Sequence, residues 1–321
     1  MNWLKNRSLF ALAPFILLLV AFGIYVGIVI ATDQTQLLTF DNLASLLGRS
    51  IALGITAIGQ TFVILIASID LSVANMISAA AVLASFIMAG DPAMMVPAVI
   101  AVLMIGAFVG AVNGLVITQL EVNPLIATLG MALLLQGVLS AVFTNFAGEV
   151  PKEFQVLAYG EWGGVSISLL FLLALTVLAW LFLKFTKAGS NIYSVGGNPE
   201  AAKLAGLRTT RTVIMAHVLC SLCAAIAGLY LASRLGSGAP WIGRDGVYDL
   251  ESIAVVVIGG TALSGGRGGV WGTLMGVMIF SLIDSIFNVA GVDAFAKQIL
   301  RGVIIVGAVA FYAARSRRIE A

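Results

Sequence analysis

The chain has 321 residues, of which 60% are hydrophobic and 10% charged, and its formal net charge is +2. Soluble domains carry about 25% charged residues, so a soluble globular protein is excluded, and the small net charge gives no basic field for binding nucleic acid. Cys220 and Cys223 lie in one apolar run, where we assign both to packing, and they identify no redox compartment.

The apolar residues fall into segments long enough to cross a bilayer as helices. The first segment follows Lys5 and Arg7 and has no small-x-small cleavage site before Asp33, so we expect an uncleaved span and not a signal peptide. The predicted spans are 8–30, 50–69, 72–90, 95–119, 122–146, 165–185, 211–233, 250–263, 269–289 and 296–313. The sequence thus predicts an all-α membrane protein with about ten transmembrane helices, forming a single transmembrane domain over 1–321.

Basic residues are distributed unevenly between the two sets of predicted loops. With the N-terminus inside, the cytoplasmic segments hold most of them: Lys5, Arg7, Lys184, Lys187, Lys203, Arg208, Arg211, Arg267, Arg315, Arg317 and Arg318. The outer loops hold only four: Arg49, Lys152, Arg234 and Arg244. This positive-inside bias predicts a multi-pass protein of a bacterial inner membrane with both termini in the cytoplasm.

Glycines and two helix interruptions are the main features within the spans. Gly106, Gly110 and Gly114 share one helical face, which predicts a close contact with a neighbouring helix, and Gly272 and Gly276 repeat that spacing. At 66–73 and at 258–265 an apolar run ends in a turn containing Leu-Ser, and a second apolar run begins at once. Paired interruptions in two halves of a chain point to a transport path.

Polar residues within the predicted spans are candidates for lining such a path. Asp70 and Asp284 are the acids deepest in or near spans, and a carboxylate there is a functional candidate because its insertion costs at least about 2.5 kcal/mol. The candidate path residues, each of which could equally bond across a helix interface, are Gln60, Asp70, Ser72, Asn75, Asn113, Thr128 and Gln136. His217 is the only histidine, so a His-x-x-x-His metal pair is excluded. We assign His217 to packing and expect no metal site and no catalytic residue.

The most informative polar stretch is Gly-Gly-Asn-Pro-Glu-Ala-Ala-Lys-Leu-Ala-Gly, residues 196–206. Asn198 suits a helix N-cap, Pro199 the first helical position and Glu200 the first turn, while Gly206 can end the helix in the left-handed conformation. This pattern predicts a short cytoplasmic helix within a loop at about 186–211. Its exposed face is expected to be small and slightly apolar: Ala201, Ala202, Leu204 and Ala205, with Lys203 beside them.

So short a helix is not stable alone and needs a partner surface. The sequence leaves two kinds of partner possible. The helix either lies on lipid headgroups or docks into a groove of another protein.

The sequence resembles the permeases of ribose-, xylose- and arabinose-type ABC importers. The resemblance lies in four segments that are spread over nearly the whole chain. They are Ile69-Asp-Leu-Ser-Val73, Asn123-Pro-Leu-Ile-Ala-Thr-Leu-Gly130, the stretch 193–206 and the stretch 250–268. The resemblance implies a coupling helix that fits a cleft on an ABC ATPase subunit, formed by Asn198, Pro199, Glu200, Ala201, Ala202, Lys203, Leu204 and Gly206. It also implies a periplasmic solute-binding protein and a second permease, identical or paralogous.

The segment around Asp70 departs from this family, which usually has glycine where Ala67, Ser68 and Ala74 stand here. The departure predicts a stiffer turn. The chain also lacks a Gly-x-x-x-x-Gly-Lys-Ser/Thr phosphate loop. We therefore expect no cofactor on this chain, with ATP and magnesium bound by the separate ATPase.

The sequence predicts the permease subunit of an ABC importer for a monosaccharide or similar small polar solute. The main alternative is an ion-coupled secondary transporter or channel that acts without an ATPase and uses Asp70 or Asp284 as its cation site. A second alternative is a membrane scaffold whose cytoplasmic helix recruits a soluble protein. No cluster of aromatic and acidic residues along the sequence identifies the solute.

Overall fold

The computed structural model describes the backbone of residues 2–320 and the side chains of 12–39, 42–43, 45–307 and 310. In this part of the chain most residues are helical. The α-helices are α1 Asn2–Ala31, α2 Phe40–Arg49, α3 Ile51–Leu65, α4 Val73–Met88, α5 Met95–Gln119, α6 Pro124–Val142, α7 Lys152–Tyr159, α8 Ile167–Phe185, α9 Lys187–Gly197, α10 Pro199–Leu204, α11 Thr209–Leu235, α12 Ile242–Asp245, α13 Tyr248–Ile258, α14 Val270–Val289 and α15 Ala294–Glu320. Two short 3₁₀ helices cover Thr35–Leu38 and Pro92–Met94, and β1 Glu161–Trp162 pairs antiparallel with β2 Val165–Ser166.

Each predicted span contains a helix, so the prediction of an all-α membrane protein is confirmed. Within the residues whose side chains are described, six helices are long and apolar enough to cross a bilayer: Leu12–Ala31, Pro92–Gln119, Pro124–Val142, Ile167–Phe185, Thr209–Leu235 and Val270–Val289. By contrast α3, α4 and α13 have 15, 16 and 11 residues. Because a full span needs about 20 residues, these three helices are too short to cross alone, and the count of ten spans stays a prediction.

Four predicted loops contain α-helices or strands that the sequence did not predict. α2, α7, α12 and the β-hairpin lie in predicted outer loops, and α9 lies in the predicted cytoplasmic loop, directly before α10. These elements are short, and apart from α2, in which Leu43, Leu46 and Leu47 recur at helical spacing, their polar and glycine residues give no sustained apolar period. The packing of the longer helices stabilises them.

The long helix α11 is central to the larger of two packed groups. It packs against α3, α4 and α5, and the predicted glycine face of α5 is in contact with it. A Cβ at Gly110 would lie 2.5 Å from the His217 carbonyl oxygen, and one at Gly106 would lie 2.8 Å from the Ala225 Cβ. The close helix contact predicted for this face is therefore confirmed.

The two cysteines lie on the same helix, and their assignment to packing is also confirmed. Cys220 is fully buried, and Cys223 is buried beside Gly59 of α3. A second group of helices forms around α14, which packs against α1 and α13, and α13 in turn packs against α3.

The helices place the connecting segments at two ends of the molecule. One end, here called the α10 end, contains α10 and the two interruptions, which are the loops 66–72 and 259–269. The opposite end contains α2, α7 and the hairpin. There the Gly90 amide donates to the Glu149 carbonyl at 2.9 Å, and the Tyr159 hydroxyl donates to the Arg234 carbonyl at 2.6 Å. By contrast α12 packs against the first turns of α4, where the Gly243 amide donates to the Ser78 hydroxyl at 3.0 Å.

Candidate site at the helix interruptions

The first interruption is a compact turn built around a buried carboxylate. α3 ends at Leu65, and Ala67 then takes a left-handed conformation with φ of 58°. The Asp70 side chain is fully buried, and its Oδ1 accepts hydrogen bonds from the Ser72 amide at 2.9 Å and the Ser72 hydroxyl at 2.5 Å. These bonds hold the turn that starts α4.

The other Asp70 oxygen ties this turn to two further helices. Oδ2 lies 3.3 Å from Nδ1 of His217 on α11 and accepts from Nδ2 of Asn113 on α5 at 3.4 Å. The Asn113 amide also donates to the Ser72 hydroxyl at 3.0 Å, and the second His217 nitrogen lies 3.0 Å from the Ser68 hydroxyl. We call Asp70, Ser72, Asn113, His217 and Ser68 the Asp70 network.

His217 therefore does more than pack, and its assignment to packing alone was incomplete. It is fully buried, as expected, but it links the turn to α11. Asp70 and His217 are 147 positions apart, so no spacing along the sequence indicates the contact.

Gln60, Thr128 and Asn75, three of the remaining path candidates, bond at helix interfaces near the same turn. With its amide oriented to satisfy both groups, Gln60 Nε2 lies 3.3 Å from the Asp70 carbonyl and Oε1 lies 3.2 Å from the Asp70 amide. The Thr128 hydroxyl accepts from the Leu71 amide at 3.1 Å, and Asn75 donates to the Ala132 carbonyl at 2.9 Å. Gln136 is half-buried on α6. The structure thus brings Gln60, Asp70, Ser72 and Asn113 together, with Thr128 beside the turn. Asp284 lies at the opposite end.

The helix predicted in the cytoplasmic loop is present as α10, six residues long. Asn198 Oδ1 accepts from the Ala201 amide at 2.9 Å, Pro199 takes the first position, and Gly206 has a φ of 81°. The capping pattern is therefore confirmed as local structure.

The predicted exposed face of α10 needs one correction. Leu204 is 90% exposed and Ala201 is exposed, but Ala202 is only 5% exposed. The physical reason is that α10 packs against α9 and α11, and Ala202 lies on that inner side. Ala202 therefore supports the protein's own packing, while Ala201 and Leu204 are free to meet a partner.

The neighbouring helix α9 contacts both interruptions. Gly196 of α9 packs so closely that a Cβ there would overlap the Leu65 carbonyl oxygen and lie 2.8 Å from the Gly266 amide. That amide donates to the Leu65 carbonyl at 2.8 Å, and the Tyr193 hydroxyl donates to the Gly268 carbonyl at 3.0 Å. The two interruptions, paired by their sequence, thus meet in space beside α9.

Comparison with known proteins places this architecture in a family. A family model described as branched-chain amino acid transport system, permease component, matches residues 42–309. The ribose import permease protein RbsC of Escherichia coli (strain K12) is 35% identical over 315 residues, which cover 96% of this chain and 93% of that protein. RbsC of Bacillus subtilis (strain 168) is 36% identical over 274 residues, 84% of this chain and 83% of that protein.

A relative named for another sugar is nearly as similar. The galactose/methyl galactoside import permease protein MglC of Salmonella typhimurium (strain LT2) is 32% identical over an alignment of 332 residues, gaps included. The alignment covers 97% of this chain and 94% of that protein. No solved structure matches the chain significantly. The matches confirm the predicted resemblance to the permeases of ABC sugar importers. The chain therefore belongs to the family of transport-system permease components and is a multi-pass membrane permease subunit of an importer.

Proposed function

We propose that this permease imports a monosaccharide and is driven by a separate ABC ATPase that docks on α10. The relatives named above are import permeases for ribose and for galactose or methyl galactoside, and they support a sugar over the branched-chain amino acids in the family description. ATP and magnesium are bound by the ATPase, and a periplasmic binding protein delivers the solute. A second permease, identical or paralogous, completes the membrane part.

The observation that carries the proposal is the contact of α9 with both helix interruptions. Because α10 is joined to α9 through Asn198 alone, a partner that moves α10 also moves α9. Gly196 then transmits the displacement to the end of α3 and to the 259–269 loop, which joins α13 to α14, through backbone contacts that leave no side chain free to yield. Short helices that end in the membrane can re-tilt about such joints, which is how we expect the path to open alternately to each side.

The Asp70 network determines which helices move when the first interruption, the 66–72 turn, is displaced. It fastens the 66–72 turn to α5 and α11 through side chains that are all buried. The turn, α4, α5 and α11 should therefore move together. We accordingly propose for Asp70, Ser72, Asn113, Gln60 and Thr128 a role in positioning these helices during transport.

The test changes the exposed part of α10 without disturbing its packing. Leu204→Arg places a charged side chain at a position that is 90% exposed, and arginine is a good helix former, so the permease should accumulate normally. Docked against a partner, the same arginine costs both overlap and desolvation. We expect loss of ATPase co-purification and of ATP-dependent sugar uptake in reconstituted vesicles.

Trp162→Arg is the control, because Trp162 is 77% exposed and lies in the hairpin at the end opposite α10. It should retain both readouts. Full ATPase association and full uptake in Leu204→Arg would contradict docking on α10, and uptake driven by an ion gradient without any ATPase would favour a secondary transporter. Ala202→Arg is not a clean test, since it would disrupt the chain's own packing.

A further inference from the structure

At the end opposite α10, three charged side chains from three helices form an ion cluster. Arg301 of α15 donates to Glu251 of α13 at 2.9 Å and binds Asp284 of α14 through two nitrogens, one at 2.9 Å. Glu251 is buried, whereas the Arg301 and Asp284 side chains remain 31% and 34% exposed. Two of the three charges therefore keep surface available to a ligand.

This cluster forms part of the wall of a cavity of about 430 Å³. The cavity lies among α1, α2, α13, α14 and α15, and its volume is in the range of roughly 300–1,000 Å³ that is typical of small-molecule sites. The side chains of Tyr25, Tyr248 and Phe280 give it aromatic surface. The cavity lies at the end from which a delivered solute would enter in the proposed orientation.

The lining chemistry fits a neutral polyhydroxylated molecule. Its charged residues are two basic and two acidic, Arg49, Arg301, Glu251 and Asp284, so the formal charge of the wall is zero. Besides the two tyrosines, the uncharged polar residues of the wall are amides and hydroxyls: Gln34, Asn42, Ser45, Ser50, Ser281, Ser285 and Asn288. Such groups donate and accept hydrogen bonds in both directions, as sugar hydroxyls require, while aromatic faces suit the apolar face of a sugar ring.

We infer that this cavity is a monosaccharide-binding site within the permease itself, with Asp284 and Arg301 among its polar contacts. The inference rests on the proposed import function, and it gives the permease its own part in solute selection. The lining residues come from two widely separated segments, 25–53 and 246–301, which is why no single sequence cluster indicates a sugar site. A site of this kind holds the solute after the binding protein releases it.

The experiment fills the cavity from two walls and measures sugar binding directly. Full-length permease in lipid nanodiscs is titrated with D-ribose, D-galactose and L-leucine, and binding is followed by saturation-transfer NMR of the added compound. Ser285→Phe projects into the cavity from α14, and Ser45→Phe, at an exposed position of α2, fills it from the other side. Each should weaken binding of the sugar by about tenfold or more, because a filled pocket excludes the ring.

Ser140→Phe, the same change on an exposed face of α6 away from the cavity, is the matched control and should bind sugar as the unaltered chain does. Co-purification of the ATPase is measured on the same variants and should be unchanged, so failure of the proposed import function is seen separately. The inference is overturned if neither sugar binds the unaltered permease, if both cavity variants bind sugar normally, or if L-leucine binds in preference to the sugars.

Discussion

Asp70 and His217 lie 147 positions apart in the chain, and their side chains meet where neither is exposed. A carboxylate in such a place is tolerated only when its oxygens are satisfied, and here four donors or ring nitrogens surround it. Removing one partner leaves the other buried without its hydrogen bond. The contact therefore stabilises the turn and also penalises any helix movement that separates α11 from it.

A double-mutant cycle measures this contact. Asp70→Ala and His217→Ala should each lower the free energy of unfolding by roughly 1–3 kcal/mol, because each leaves a buried polar group without a partner. The double variant should lose less than the sum of the two, by roughly 0.5–3 kcal/mol. Chemical unfolding of the purified permease in detergent gives all four values.

Asp70→Ala combined with Ser233→Ala serves as the additive control. Ser233 is on the same helix as His217, but it donates to Phe154 at the opposite end. Strict additivity of the Asp70 and His217 changes would show that the observed proximity carries no interaction energy. Normal stability with transport alone abolished would instead favour a direct contact of Asp70 with the solute.

Ala67 shows at one residue what the sequence indicated and what it could not. The comparison with the family's glycine-rich pattern singled out this position and predicted a stiffer turn. The stiffness stays a prediction, but the structure shows why glycine suits this position, since Ala67 has a φ of 58°, a conformation that costs a residue with a Cβ about 1–2 kcal/mol and glycine almost nothing. The sequence could not supply the network that keeps Asp70 in place beneath this turn.

Among the elements, those with a strong local signal were predicted and those that depend on neighbours were not. The apolar segments gave all the long helices, and α10 followed from its capping residues Asn198, Pro199 and Gly206. α9 contains Gly189, Gly196 and Gly197, which have low helix propensity, and its helix is stabilised by packing against α8 and α11. α13 ends at Ile258, five residues before its predicted end, because Gly260 turns the chain with a φ of 87°.

The contact between α5 and α11 gives a prediction about bulk. A Cβ at Gly110 would lie 2.5 Å from the His217 carbonyl oxygen and 2.6 Å from the Val218 Cα, both of which are backbone atoms that cannot rotate away. Gly110→Leu should therefore destabilise the permease by more than about 3 kcal/mol, above the usual 1–3 kcal/mol of overpacking. The amount of folded protein in membranes, measured by size-exclusion chromatography after extraction, should fall.

Gly137→Leu on α6 is its control, since nothing lies within 4 Å of a Cβ at that position. That variant should accumulate like the unaltered protein. If Gly110→Leu accumulated equally well and only solute recognition changed, the close packing of α5 on α11 would not be what the glycine face provides.

For the whole molecule, orientation is the property with the clearest charge signal. Six basic residues assigned to the cytoplasm lie near the α10 end: Lys184, Lys187, Lys203, Arg208, Arg211 and Arg267. The other five, Lys5, Arg7, Arg315, Arg317 and Arg318, have side chains outside the described part of the chain. Cytoplasmic placement of both termini accordingly stays a prediction from the sequence bias.

Cysteine labelling tests this orientation without a cysteine-free background, because Cys220 and Cys223 are buried. Leu204→Cys and Trp162→Cys replace side chains that are 90% and 77% exposed at the two ends. A membrane-impermeant maleimide added to intact spheroplasts should label Trp162→Cys and spare Leu204→Cys, and inside-out vesicles should give the reverse. Labelling of Leu204→Cys from outside would invert the topology and remove α10 from the reach of any cytoplasmic ATPase.

The ion cluster lies at one end of the molecule and α9 at the other. Along α14, Val270 and Asp284 are fourteen residues apart, which is about 21 Å of helix. Substitutions around the cavity therefore leave untouched the glycine contacts through which α9 meets the interruptions. With the proposed sugar site at one end and the proposed ATPase docking at the other, a descendant of this permease can acquire a different solute through mutations at the first end while the second drifts little. One ATPase can then serve several permeases of different specificity, and chimaeras exchanged within the central helices should inherit the two properties independently.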